Sequence, residues 1–315
     1  MARVNVSLKK KRNWGRKFLL GVGLILSIVF SLCLVFTFSP TSRIEAKPFF
    51  KNSRPLVIAH QGGELLAPSN TMIAFKQAAD MGVDVIETDI HITKDGHLVA
   101  IHDATVDRTT NGSGAVADLT LTEIQALDAG YHFQDLNGNL SYRGQGAYIP
   151  TVEEMFQEFG DMRIEIEIKD SNPPEQYEEI AEKLWKLTEK YGMEDKLLVA
   201  SFDQEIIQMF DNYTNGRVAT AGGRQEITQF VIFQKIFMRN LYSPKVDSFQ
   251  VPLEQSGIDL TNQRLIRDAK RTGLQVHYWT IDDKETMQYL IERGADGIIT
   301  NRPDLMLELL EEMGY

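Results

Sequence analysis

The chain has 315 residues, a length that suits one large α/β domain or two small ones. Its formal net charge is −11, although Arg3, Lys9, Lys10, Lys11, Arg12, Arg16 and Lys17 crowd into the first 17 residues. Without that arm the body is more acidic still, which excludes nucleic acid as a partner.

After the basic arm (residues 1–17), residues 18–38 run apolar without a charge. As a helix they would rise roughly 31 Å, about one hydrocarbon thickness. A cleaved export signal is the competing reading, but its apolar run is shorter and ends in small residues; Thr37-Phe38-Ser39 matches that poorly. The expectation is a single-pass anchor in the cell membrane, with the basic N-terminus cytoplasmic and the remainder extracellular. The only cysteine, Cys33, lies within this span, so an exported body would rest on its core or on bound metal. Residues 39–54, with Pro40 and Pro48, read as a linker.

In the body (55–315), short β-branched runs alternate with amphipathic ones. Strands are predicted at Leu56–His60, Val85–His91, Arg163–Ile168, Leu197–Ser201, Arg217–Thr220, Ser248–Val251, Gln275–Trp279 and Gly297–Thr300. A further run, Leu98–His102, follows the hairpin signal Asp95-Gly96. Helices are predicted at Thr71–Met81, Val152–Phe159, Glu175–Tyr191, Gln204–Asn212, Glu226–Arg239, Gln263–Thr272, Lys284–Glu292 and Pro303–Glu312. Asp282 is the expected cap of the helix at Lys284, and Pro303 suits a first turn. Strict alternation predicts a closed (β/α)8 TIM barrel preceded by one transmembrane helix. Residues 107–150, rich in Gly, Asn, Asp and Ser, read as an insertion at the barrel mouth after the second strand.

Glu87 and Asp89 are two apart on a strand and leave the same face near its C-terminal end. Such carboxylates repel unless a cation lies between them, and oxygen ligands favour Mg²⁺ or Ca²⁺. A solvated edge strand would show the same alternation, but Val85, Ile86 and Ile90 look buried. Glu165, Glu167 and Lys169 repeat the device, and the lysine can balance charge or meet a phosphate oxygen. His60 and His102 end strands beside these acids and suit an acid/base pair. A lone histidine is usually structural; His91, His97, His132 and His277 have no special claim.

These motifs resemble the glycerophosphodiester phosphodiesterases. His60-Gln61-Gly62, Pro68-Ser69-Asn70-Thr71, Glu87-Thr88-Asp89, Asp95-Gly96 and His102-Asp103 follow in the family's order. So do Ile149-Pro150-Thr151, Glu167-Ile168-Lys169, Trp279-Thr280 and the run from Gly294 to Thr300, covering residues 56–309. The resemblance implies metal-dependent hydrolysis of a glycerophosphodiester to glycerol phosphate and an alcohol. It makes Glu87, Asp89 and Glu167 ligands of one divalent cation, Mg²⁺ or Ca²⁺, and His60 and His102 the catalytic pair. Gln61, Lys169 and Trp279 fall at substrate-binding positions. The family usually shows His-Arg-Gly and Pro-Glu-Asn-Thr, where this chain has Gln61 and Ser69. The paired loss of an arginine and a glutamate suggests a neutral hydrogen-bonded pair in place of a charged one.

Residues 229–242 interleave Phe230, Val231, Ile232, Phe233, Ile236, Phe237 and Leu241 with Lys235 and Arg239. They read as a helix packed on the barrel, or as an apolar lip admitting an acyl chain. The lip would make lysophospholipids substrates, a lysophospholipase D activity. The same architecture would also suit a catalytically inactive membrane-tethered binding protein or a phosphoinositide-cleaving phospholipase C.

Overall fold

The structure, a computed structural model, describes residues 6–38, 42–236 and 238–315. Residues 1–5 of the basic arm, residues 39–41 of the expected linker and Phe237 lie outside the described residues. The chain opens with helix α1 (Val6–Phe38), strand β1 (Leu56–Ala59), α2 (Met72–Met81) and the hairpin of β2 (Val85–Ile92) and β3 (Leu98–Ala100). Next come α3 (Leu121–Gln125), α4 (Val152–Phe159), β4 (Arg163–Ile168), α5 (Tyr177–Tyr191), β5 (Leu197–Ala200), α6 (Gln204–Thr214) and β6 (Ala219–Thr220). After these follow α7 (Arg224–Lys235), β7 (Ser248–Val251) and a small hairpin of β8 (Glu254–Gln255) and β9 (Ile258–Asp259). The chain ends with α8 (Gln263–Arg271), β10 (Gln275–Tyr278), α9 (Lys284–Glu292), β11 (Gly297–Thr300) and α10 (Pro303–Glu312). Two compact units result: Arg43–Thr228 with Pro244–Tyr315, and α1 and Ser42 with Gln229–Ser243.

In the larger unit the parallel strands lie in the order β6-β5-β4-β2-β1-β11-β10-β7. The ring closes where Ala221 bridges Ser248 and the Gly222 N–H donates to the Ser248 carbonyl at 2.9 Å. This is the (β/α)8 barrel that the alternation predicts. Sequence period makes its lining: in β4, Ile164, Ile166 and Ile168 are buried on the helix side, which turns Glu165 and Glu167 inward. Register then sets Glu87 opposite Glu165 and Asp89 opposite Glu167. Lower in the barrel, Leu56, Val85, Leu198 and Ala219 form one apolar cluster with Phe49 and Phe50.

Those two phenylalanines come from the expected linker. Residues 43–54 pack on the barrel: the Ile44 N–H donates to the Thr272 carbonyl at 2.9 Å, and the Lys47 ammonium is 2.8 Å from Asp247. The outer helices are held by one apolar stripe each. In α4 it is Val152, Met155, Phe156 and Phe159, opened by a capping box between Thr151 and Glu154. Pro303 opens α10 as expected. The cap of α9 is Asp283, not Asp282: Asp283 directly precedes Lys284 and accepts from the Thr286 N–H at 2.8 Å. Asp282 instead turns back to β11.

The insertion carries a small core of its own. Val106, Val116, Ile124, Ala129 and Ile149 cluster with Val99 and Ile101 of the β2–β3 hairpin. In the smaller unit, α1 spans 33 residues. Its stretch Trp14–Ser31 is exposed throughout, and among the described residues it is the one helix long and apolar enough to cross a membrane.

Candidate active site

The C-terminal ends of the barrel strands enclose a cavity of about 580 Å³. His60, Glu87, Asp89, His102, Glu165, Glu167, Lys169 and Trp279 all line it. Seven of the eight predicted site residues are therefore brought together, and Glu165 joins them. The eighth, Gln61, is buried just behind His60.

Local sequence explains how the first strand delivers its histidine. Gln61 and Gly62 have φ of 52° and 81°, and a Cβ on Gly62 would lie 2.8 Å from Ala74 Cβ. Only glycine fits there without displacement. The turn it permits aims the Gln61 N–H at Glu87 Oε2, 2.7 Å away. The Gln61 side chain contacts His60 Nε2 at 3.4 Å and leaves its own Oε1 without a partner among the described residues. Among the described residues no hydrogen bond joins Gln61 to Ser69, so the neutral pair expected there is not formed: the amide nitrogen of Gln61 turns to His60 and its Oε1 is buried unpartnered.

Both imidazoles are held through Nδ1. His60 Nδ1 lies 2.6 Å from Asn301 Oδ1, and the Asn301 amide donates to Asp282 at 2.9 Å. His102 Nδ1 lies 2.7 Å from Asp103 Oδ1, and Arg108 Nε donates to Asp103 Oδ2 at 2.6 Å. Partial burial works against ionising Asp103, but Arg108 and His102 hold its carboxyl below the usual range. Arg108 also reaches Glu64 Oε1 at 3.4 Å, and the other Glu64 oxygen is 3.8 Å from His60 Nδ1. One chain of charges thus links the partners of the two rings. With Nδ1 so held, His102 presents Nε2 for chemistry, and His60 Nε2 carries only the long 3.4 Å contact with the Gln61 amide, which a substrate can displace.

The acids are crowded. The Lys169 ammonium sits 3.2 Å from Asp89 Oδ1 and 3.1 Å from Glu167 Oε1. Burial alone would lower its pKa; Asp89 and Glu167 overcome that and raise it. Asn70, with φ of 56°, donates to Asp89 Oδ2 at 3.2 Å and accepts from the Thr88 hydroxyl at 2.7 Å. Burial, then Asp89 and Glu165, push Glu87 well above the ordinary carboxylate range. Burial, then Asp89, lift Glu167 to about 7. Burial lifts Glu165 to about 8, although the Gln250 amide donates to its Oε1 at 2.6 Å.

Four carboxylates therefore face one buried ammonium, and Glu165 Oε2 is buried with no hydrogen-bond partner among the described residues. That donor set is all oxygen and over-charged, which fits a hard divalent cation. As the side chains stand, no group of three or more histidine, cysteine or acidic residues among the described residues is gathered tightly enough to hold one. Lys169 takes up the space between Asp89 and Glu167.

Several site residues escape a reading of the sequence. Asn301, Asp282 and Asn70 act through partners well separated in the chain, whereas Asp103 adjoins His102 and Arg108 reaches it from the start of the insertion. Arg224 lines the cavity, stacks 4.4 Å over the Phe202 ring and pairs with Asp170 at 3.3 Å. Phe202 in turn meets Trp279 edge to face at 5.5 Å. His277 is fully buried with neither ring nitrogen partnered among the described residues, and burial drops its pKa to about 3.

Comparison with known proteins agrees with this architecture. Residues 60–305 match the Glycerophosphoryl diester phosphodiesterase family. The chain is 35% identical over 265 residues to a glycerophosphodiester phosphodiesterase of Caldanaerobacter subterraneus subsp. tengcongensis, covering 83% of this chain and 100% of that protein. It is 30% identical to a glycerophosphodiester phosphodiesterase of Bacillus subtilis, covering 86% and 92%. Among solved structures, a phosphodiesterase of Oleispira antarctica in complex with the product sn-glycerol-3-phosphate aligns with a TM-score of 0.65 at 22% identity, over 82% of this chain and 97% of that one. The phosphodiesterase domain of a Mycobacterium tuberculosis protein aligns with a TM-score of 0.70 at 17% identity, over 82% and 100%. With the barrel, the paired histidines and the acidic cavity in place, the chain belongs to the glycerophosphoryl diester phosphodiesterase family and is an enzyme of that class.

Proposed function

We propose that this enzyme hydrolyses glycerophosphodiesters to glycerol phosphate and an alcohol with a divalent cation, Mg²⁺ or Ca²⁺, and with His60 and His102 as the acid/base pair. The observation that carries the reading is the pairing of two imidazoles, each held through Nδ1, on the wall of one cavity lined by four carboxylates. Glu87, Asp89 and Glu167 would hold the cation. Bound there, it supplies positive charge against the negative charge that grows on the phosphoryl oxygens. One histidine accepts a proton from the nucleophile, either water or the neighbouring glycerol hydroxyl. The other gives a proton to the leaving oxygen. Lys169 meets a phosphate oxygen, and Trp279 lies against the glycerol or the alcohol. The N-terminal helix serves as an anchor, with the basic arm cytoplasmic and the catalytic unit outside.

The test is release of choline and glycerol phosphate from glycerophosphocholine, abolished by a chelator and restored by Mg²⁺ or Ca²⁺. Full activity in the chelator would remove the cation from the scheme. Faster choline release from lysophosphatidylcholine would move the substrate to lysophospholipids.

Arg224 supplies the mouth with a positive charge that Gln61 lacks. A charged hydrogen bond to phosphate is worth about 1.5–3 kcal/mol, so Arg224→Gln is expected to raise KM by roughly tenfold or more while kcat holds. Adding Gln61→Arg should recover part of the loss. An unchanged KM in Arg224→Gln would show that the phosphate does not reach this side of the cavity.

A further inference from the structure

In the smaller unit, Phe230 and Val231 of α7 and Tyr242 are buried, and the Phe230 and Tyr242 rings meet edge to face at 5.2 Å. The apolar side chains that this packing does not use face outward: Ile232, Ile236 and Leu241 are 53%, 48% and 42% exposed. The Ile236 N–H donates to the Ile232 carbonyl at 3.0 Å, so both isoleucines project from the same side of one helical turn. Lys235, also exposed, stands beside them. Ile232 and Ile236 on one side of a turn, with Leu241 exposed five residues further on, put more apolar surface into ten residues than the single scattered side chains ordinary on a soluble protein.

The position of this patch identifies what covers it. The 3-10 turn Arg239–Leu241 packs against α1, and Ser243 Oγ lies 3.2 Å from Ser42 Oγ. Ser42 is four residues past Phe38, where α1 ends, so at most about 14 Å of extended chain lies between them. The patch therefore belongs to the end of α1 away from the basic arm, where the apolar run stops.

We infer that Ile232, Ile236 and Leu241 form an interfacial patch inserted in the outer leaflet of the membrane that α1 crosses, with the Lys235 ammonium at the lipid phosphates. An amphipathic turn lies in the plane of the interface when one side is apolar and its cation can reach the headgroups. The inference rests on α1 spanning the bilayer. It adds that the chain touches lipid at a second place, nearly 200 residues after the anchor.

The full-length protein, reconstituted in phosphatidylcholine/phosphatidylglycerol vesicles, tests this with an environment-sensitive fluorophore. One preparation carries it on the native Cys33, one on Cys33→Ser/Ile236→Cys and one on Cys33→Ser/Glu311→Cys as an aqueous reference. The position-236 label is expected to be blue-shifted and quenched more strongly by lipid spin-labelled near the headgroup than by lipid labelled deep in the chain. Quenching at position 33 with none at position 236 would overturn the inference and leave the anchor standing. No quenching at position 33 would overturn the anchor and the inference with it. A blue-shifted but unquenched label at position 236 would mean that protein, such as a second copy of this chain, covers the patch, and it would overturn the inference as well.

Discussion

His60→Ala and His102→Ala are each expected to cut kcat by roughly 10²- to 10⁴-fold, the usual worth of a positioned acid or base. KM for glycerophosphocholine should move far less, because neither ring supplies the charge that holds a phosphate. Stability should also hold: the side chains are 20% and 40% exposed, so truncation opens no sealed cavity. Smaller losses, roughly ten- to hundredfold, are expected for Asn301→Ala and Asp103→Ala, which leave the ring in place but free it to turn. Steady-state rates with circular-dichroism melting separate these outcomes. A His60→Ala or His102→Ala enzyme turning over near the wild-type rate would end the acid/base assignment. Asn301→Ala as damaging as His60→Ala would show that orientation, more than the proton, limits the reaction.

The second large effect couples cation, pH and stability. Glu165 and Glu167 have folded pKa values of about 8 and about 7, and Glu87 is raised as well, all above the ordinary carboxylate value of 4.5. A group raised on folding contributes stability that is complete below its unfolded pKa and disappears as pH rises through its folded one. Each such carboxyl therefore weakens the chelated protein by about 1.4 kcal/mol per pH unit while it titrates. His277 works in the opposite sense, since its pKa falls from 6.5 to about 3 on folding. It adds stability as pH rises from 3 to 6.5 and is silent above that range. The clean window is thus pH 6.5 to 8, where only the raised carboxyls act.

There the melting temperature of the chelated protein should fall with pH, and Mg²⁺ or Ca²⁺ should recover more at pH 8 than at pH 6.5. A cation at one hundred times its Kd adds about 2.7 kcal/mol, equivalent to roughly 5–10 °C in a domain of this size. Glu165→Gln should flatten the fall without abolishing the cation's effect. Calorimetry across the window checks both points. A cation shift that shrinks as pH rises would mean that the ion does not neutralise these carboxylates.

Much of this protein was legible one residue at a time. Period-two alternation in Ile164-Glu165-Ile166-Glu167-Ile168 is enough to say that apolar and acidic faces part company, and eight short β-branched or apolar runs between amphipathic helices point to a barrel. A strand's pleat places Glu87 with Asp89 and Glu167 with Lys169 by local geometry alone, so the acids needed no tertiary information. The histidines at strand ends followed from the same rule. What the sequence could not determine was anything set by contacts across the ring or between loops. Asn301 meets His60 across 241 residues, and Gln250 meets Glu165 across 85. Arg108 ties together the partners of two histidines from within an insertion whose composition reads only as loop. Likewise Asp283 rather than Asp282 caps α9, because one residue of phase decides which carboxylate faces the helix and which is left for Asn301. Local periodicity chose the inward face of the strands that carry the acids; only closure of the barrel decided which side chains would meet across it.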